Sequence, residues 1–125
     1  MKINIKVTNV SLSAELTLSI EHKLVGALER LLQEKAENAL CEIEVGKTTL
    51  HHRSGDIFRA EINLTSEGDH VRAVSEKSDI LSAIDDVRDE VVRALKHQQS
   101  KKRDIFRRGA ARVKNILKGL YRGNK

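Results

Sequence analysis

The feature that most constrains this fold is the order in which two hydrophobic periodicities follow one another. Residues 2–7 alternate strictly between polar and apolar side chains, which predicts a half-buried strand. Ser13 follows as a candidate N-cap, and after it apolar residues recur at helical spacing, which predicts one buried face on a helix of about five turns. That face consists of Leu16, Ile20, Leu24, Leu28 and Leu31.

Three more alternating segments and a second helix complete the pattern. The polar stretch 46–56 predicts a long hairpin loop, residues 66–69 predict a turn, and Ser78-Asp79 predicts a helix start. The inward rows of the three strands are Cys41, Ile43 and Val45; Phe58, Ala60, Ile62 and Leu64; and Val71, Ala73 and Ser75. The apolar stripe of the second helix is Ile80, Ile84, Val87, Val91 and Leu95.

The resulting order, β-α-β-β-β-α, predicts an α+β fold in which two helices pack on one face of a four-stranded mixed sheet. A strand, a crossover helix and a strand predict a parallel pair, and the later strands form an antiparallel meander. The open sheet face is predicted to be an ordinary solvated surface without aromatic side chains to stack on RNA bases. Its charged residues are Lys2, Lys6, Glu42, Glu44, Arg59 and Glu61.

Charge is divided very unevenly along the chain. The formal net charge is +5, but residues 1–95 hold 12 basic and 17 acidic side chains, whereas residues 96–125 hold 11 basic side chains and a single acid, Asp104. A body of net −5 therefore precedes a segment of net +10, which predicts a polyanionic partner. We predict an α/β domain at 1–103 and a basic amphipathic helical tail at 104–125.

The tail has an apolar stripe of its own, which leaves three interpretations open. The stripe is interrupted by glycines and surrounded by arginine and lysine. The segment could bind nucleic acid, lie on an anionic membrane, or pack against the body. RNA is favoured over a membrane because the stripe has few aromatic residues and contains glycine. Its members are Phe106, Ala110, Val113, Leu117 and Leu120.

No constellation in the sequence predicts an enzyme, a metal site or a cofactor. His51 and His52 are adjacent in the predicted loop without enough further ligands, and Cys41 is expected to be a small core residue. The acidic cluster Asp85, Asp86, Asp89 and Glu90 is expected to pair with Arg88 and Arg93 along the second helix. One cysteine and no apolar signal segment favour a cytoplasmic protein.

Several segments in the right order resemble the ribosome hibernation promoting factors, also called ribosome-associated inhibitor A or ribosomal subunit interface proteins. The central hairpin, residues 46–64, and the helix start Asp79-Ile80-Leu81-Ser82-Ala83-Ile84-Asp85 are similar to those of the family, as are Ile5…Asn9-Val10 and Lys23…Leu28-Glu29. The resemblance covers residues 1–103. It implies a short-form member that lacks the separate C-terminal dimerisation domain.

The resemblance implies a non-enzymatic factor that binds small-subunit rRNA in the mRNA/tRNA channel and keeps ribosomes inactive under stress. It implies RNA contacts from Lys23, Arg30, Arg93, Lys96, Lys101 and Lys102, and the basic density adds Arg103, Arg107 and Arg108. Ala27, His97 and Gln99 stand where the family usually has lysine, which depletes its usual basic surface. Leu81 stands where the family has a tyrosine, which removes one RNA or packing contact. We expect a monomer off the ribosome, with no membrane partner and no small-molecule substrate. The alternatives are a general double-stranded RNA-binding module and a membrane-associated module that uses the tail.

Overall fold

The computed structural model describes residues 1–48 and 55–123, with side chains up to residue 119. Its four strands form one sheet in the order β1-β2-β3-β4, in which β1 and β2 are parallel and the other neighbours are antiparallel. The α+β fold predicted from the sequence is confirmed. The strands are β1 (Lys2–Thr8), β2 (Leu40–Thr48), β3 (Ile57–Ser66) and β4 (Asp69–Lys77).

The strand register places the predicted inward rows side by side on one face. Ile5 is opposite Ile43, which is opposite Ile62, which is opposite Ala73. Because side chains alternate along every strand, this one alignment puts all the apolar rows on the same side. The buried residues of both helical regions belong to the same core cluster, so both regions pack on this face.

The first helical run differs from the regular helix that the sequence predicts. It consists of α1 (Ala14–Ser19), a π-helical segment (Ile20–Val25), α2 (Gly26–Leu32) and a 3-10 segment (Gln33–Asn38). Apolar residues spaced by four drift by about 40° per step around an α-helix, and the wider π turn removes that drift. Leu32 becomes the last deeply buried leucine, while the predicted Leu31 is only partly buried.

Ser13 caps the first helical run as predicted, since its hydroxyl accepts a hydrogen bond from the Leu16 backbone N–H at 3.1 Å. At the second predicted helix start, the Asp79 carboxylate accepts one from the Ser82 backbone N–H at 3.1 Å. The residues of both caps are those that the sequence singled out at these two starts. Each helical run therefore begins at a position set by local chemistry.

The second helix continues without interruption through the basic segment. α3 runs from Ile80 to Gly123, a length of 44 residues, and Gly109 does not break it. The chain nevertheless divides into two compact units, residues 1–95 and 96–125. The division after Leu95 coincides with the change from net negative to net positive charge, while the boundary predicted at 103/104 stays a prediction.

The hairpin loop predicted at 46–56 begins three residues too early. Gly46, Lys47 and Thr48 belong to β2 and pair with Arg59, Phe58 and Ile57. Pairing with a partner strand outweighs the local preference of glycine for turns. Gly46 also suits its place, because a Cβ atom there would lie 3.0 Å from the Thr8 backbone oxygen of β1. Residues 49–54, which include His51 and His52, lie outside the described residues.

The second hairpin turn is the one that the sequence predicts. Glu67 and Gly68 connect β3 to β4 with φ angles of 48° and 85°. Two consecutive positive φ values are typical of a type I′ turn, whose twist suits a two-residue hairpin.

Candidate nucleic-acid interface

The open face of the sheet carries a central group of carboxylates. Glu42 and Glu44 on β2 lie next to Asn63 and Glu61 on β3, in adjacent rows of the register. Glu61 is largely buried, with a side chain 13% exposed, and it is paired with Arg72 at 2.6 Å and Arg59 at 3.1 Å. A shallow recess of about 240 Å³ opens here. It is lined by Asn4, Ile5, Lys6, Glu42, Ile43, Glu44, Glu61 and Asn63.

This face is poorly suited to bind RNA. Four cations face four carboxylates here, so the face offers no net attraction to phosphate. The cations are Lys2, Lys6, Arg59 and Arg72, and the carboxylates are Glu42, Glu44, Glu61 and Glu76. Within residues 1–48 and 55–77, no aromatic side chain lies on this face, because Phe58 belongs to the opposite row. The predicted solvated surface is consistent with this arrangement.

The hydrogen bond from Arg72, with a second from Arg59, holds the pKa of the Glu61 carboxyl below its usual range despite partial burial. Since the folded-state pKa is depressed, the stabilisation is complete above the unfolded pKa and is lost as the pH falls through the folded pKa. We expect Glu61→Gln to lower the free energy of unfolding by about 1 kcal/mol at pH 7. Urea unfolding should show that the two proteins converge in stability as the pH falls from the unfolded value of about 4.3 through the lower folded-state pKa. A constant difference across this range would contradict the electrostatic origin.

The helical layer on the other side of the sheet brings two cations together around one acid. Lys23 Nζ lies 3.5 Å from Asp85 Oδ1, and Arg88 Nη1 lies 3.6 Å from the same oxygen. That oxygen is buried and makes no hydrogen bond among the described residues, so these ion pairs are what compensates it. The predicted RNA contact Lys23 is therefore joined, across the two helical regions, to Arg88.

The acidic cluster of α3 is divided between structural roles. The pair of Arg88 with Asp85, three residues earlier, confirms its predicted place in a helical ladder, and Arg88 also pairs with the adjacent Asp89 at 3.1 Å. Asp86 instead accepts a hydrogen bond at 2.6 Å from the hydroxyl of Ser75, which attaches α3 to β4. The predicted pair with Arg93 is wrong, because Arg93 makes no ion pair within the described part of the chain.

Arg30 and Arg93 lie further along the same layer. Because β1, β2 and β4 all run in one direction, the two helical regions that return across the sheet also point the same way. Arg30 comes seven residues after Lys23, and Arg93 eight after Asp85, so both lie about 11 Å beyond that ion pair. Both side chains are exposed. The helical layer of residues 1–95 therefore carries Lys23 and Arg88 at the Asp85 ion pair, and Arg30 and Arg93 about 11 Å further along the helices.

The remaining predicted RNA contacts all lie in the second unit. Every residue from 100 to 119 is exposed, as is Lys96. These side chains extend along one continuous helix, with Asp104 as the single acid of the segment. The predicted contacts in this unit are Lys96, Lys101, Lys102, Arg103, Arg107 and Arg108.

The described residues offer little for other chemistry. No group of three or more His, Cys, Asp or Glu among them could hold a metal ion. Across residues 1–48 and 55–123, no helix is both long enough and apolar enough to cross a membrane. Cys41 is fully buried in the core, as the sequence predicts.

Burial, reinforced by the neighbouring Glu42, raises the pKa of the Cys41 thiol to about 12. We expect the folded protein to resist alkylation by iodoacetamide at pH 8, because both the thiolate population and solvent access are very small. Mass spectrometry should find no adduct until urea unfolds the chain, and full modification after that. Rapid labelling of the native protein would contradict the buried placement.

The fold and charge pattern can now be compared with known proteins. The family model described as sigma 54 modulation protein / S30EA ribosomal protein matches residues 3–103. The chain belongs to this family. The resemblance found in the sequence is thereby confirmed, and the matched region ends in α3 at Arg103, inside the second unit.

Two solved structures share the fold of this S30EA family member. The Thermus thermophilus Protein Y N-terminal domain aligns with a TM-score of 0.63 at 21% identity, covering 78% of this chain and 98% of that one. A ribosomal subunit interface protein from Coxiella burnetii aligns with a TM-score of 0.63 at 19% identity, covering 80% and 99%. No curated protein sequence matches the chain.

Arg88 is not among the RNA contacts that the sequence predicts. Its side chain lies beside Lys23 on the helical layer, through their shared partner Asp85. The sequence signal was an acid three residues before an arginine, which indicates a local pair and conceals the cation contributed by the other helical region. We add Arg88 to the candidate interface.

Proposed function

We propose that this chain is a ribosome-binding hibernation factor that occupies the mRNA/tRNA channel of the small subunit and keeps ribosomes inactive under stress. The observation that carries the proposal is the family match over residues 3–103, on a fold shared with a ribosomal subunit interface protein. The mechanism is steric: a rigid α/β body occupies the channel and excludes mRNA and tRNA without catalysing a reaction. A ribosome partner also implies the cytoplasm.

The proposed rRNA contacts of the body lie on its helical layer. Lys23, Arg30, Arg88 and Arg93 carry positive charge there, while on the open sheet face carboxylates and cations are equal in number. Phosphate contacts position a protein without reading sequence, so specificity comes from the fit of the body to folded rRNA. The body is net negative, which makes the placement of these few cations more important than their number.

The basic helix supplies the long-range attraction. Eleven basic side chains against one acid in residues 96–125 attract a polyanion and release counterions from it. The proposed contacts on this unit are those predicted from the sequence: Lys96, Lys101, Lys102, Arg103, Arg107 and Arg108.

The proposal is tested by co-sedimentation of the full chain with isolated small subunits across a salt series. About six simultaneous phosphate contacts among the ten proposed cations predict that affinity falls roughly a thousandfold between 50 and 200 mM salt. Large subunits and an RNA duplex of similar charge are the controls. Failure to co-sediment at low salt would overturn the proposal, and equal affinity for the duplex would favour a general double-stranded RNA-binding module. Inhibition of translation by the full chain, relieved by excess small subunits, is the functional readout.

A further inference from the structure

The second unit carries an apolar face that phosphate contacts leave unused. Ile105, Phe106, Val113, Ile116 and Leu117 are large apolar side chains, and each is 57–77% exposed. Five such residues within one short helical segment form a contiguous apolar surface, which soluble proteins rarely leave unpartnered.

The helix separates apolar from basic side chains cleanly. At about 100° per residue, the five apolar residues of this face lie within an arc of about 120°. The basic side chains fall within an opposite arc of about 160°. Gly109 lies on the apolar side without interrupting α3. The basic residues are Arg107, Arg108, Arg112, Lys114 and Lys118.

The charge of this helix limits what can cover its apolar face. A second copy would bring two segments of net +10 together, and their repulsion opposes pairing. RNA provides phosphates for the basic arc, but it offers no apolar layer to cover the five exposed side chains of the apolar arc. An anionic bilayer satisfies both arcs at once, since it offers an apolar layer beneath negative headgroups.

We propose that residues 105–119 form an in-plane binding helix for anionic membrane surfaces. Its apolar arc inserts below the headgroups, and its basic arc contacts their phosphates. The continuity of α3 through Gly109 removes the glycine objection raised by the sequence. Two residues of this basic arc are also among the proposed rRNA contacts. Arg107 and Arg108 are shared, so small subunits and vesicles compete for them.

The experiment uses the full chain and vesicles of phosphatidylglycerol and phosphatidylcholine in equal parts, with pure phosphatidylcholine as the lipid control. We expect flotation with the anionic vesicles alone. The variant Phe106→Ser/Ile116→Ser keeps the charge and is expected to lower partitioning about thirtyfold. The matched control Leu12→Ser/Leu18→Ser removes two apolar side chains that are 46% and 52% exposed on the body, and it should partition like the wild type.

Each alternative occupant has a distinct signature. Unchanged vesicle binding by Phe106→Ser/Ile116→Ser would show attraction by charge alone and overturn the insertion. Loss of small-subunit binding by this variant, without a vesicle effect, would assign the face to the ribosome. A large fall in its melting temperature would assign the face to packing within the protein. Co-sedimentation of the wild type with small subunits is scored separately, so failure of the ribosome proposal is distinguishable from failure of this one.

Discussion

Replacing Lys23, Arg30 and Arg93 together by glutamine is expected to weaken binding to the small subunit about a hundredfold at 100 mM salt. These three cations lie on the helical layer of the body, where the two helical regions run side by side. Each lost phosphate contact should also reduce the salt slope of the affinity by about one, so the triple variant loses about three. The measurement is co-sedimentation across a salt series.

A variant with the same charge change shows whether placement or net charge matters. Lys2, Lys6 and Lys77 are exposed cations elsewhere on the body, the first two on the open sheet face and the third at the end of β4. Their replacement by glutamine should leave the salt slope nearly unchanged. An equal loss for both triple variants would mean that the ribosome senses overall charge, and the helical layer would no longer be the proposed interface.

Leu28→Ala is expected to lower the free energy of unfolding by about 3 kcal/mol, which corresponds to a fall in melting temperature of roughly 15 °C. Leu28 has no exposed surface and belongs to the core between the first helical run and the sheet. Truncation to alanine removes its apolar contacts and leaves a cavity that the close-packed surroundings fill only in part. Urea unfolding followed by circular dichroism gives the energy directly.

Leu18→Ala provides the matched control. Leu18 lies on the same helical run, but its side chain is 52% exposed, so its truncation should change the free energy of unfolding by less than about 0.5 kcal/mol. A comparable loss in both variants would mean that burial of Leu28 does not set the effect, because alanine is itself the best helix former. A loss below about 1 kcal/mol for Leu28→Ala would contradict the packing of this run against the sheet.

The strands were predictable because their signal is local and has a period of two. Ile43 and Ile62 face the core in the structure as their alternation indicates, and the register then aligns every inward row. The caps Ser13 and Asp79 were predictable for the same reason, since a capping side chain acts within three residues. The family resemblance depended on the same local segments.

The wrong predictions concern residues whose placement depends on contacts with residues distant in the sequence. Gly46 has the local character of a turn residue, but it belongs to β2 because β3 and β1 lie on either side of it. Leu32 replaces Leu31 in the core because a π-helical segment shifts the phase of the helix. In both cases, packing against distant residues outweighs a local preference of about 1 kcal/mol.

By itself the sequence determined the order of the elements, the inward rows, the family and the charge step after Leu95, because each is a property of neighbouring residues. Only the tertiary structure decided that Lys23 and Arg88 share Asp85, and that Arg59 and Arg72 share Glu61 on the open sheet face. Ion pairs act over a few ångströms in space, whatever the distance along the chain. The fold therefore decides which cations are available to a polyanion, while the excess positive charge that attracts it follows from the sequence alone.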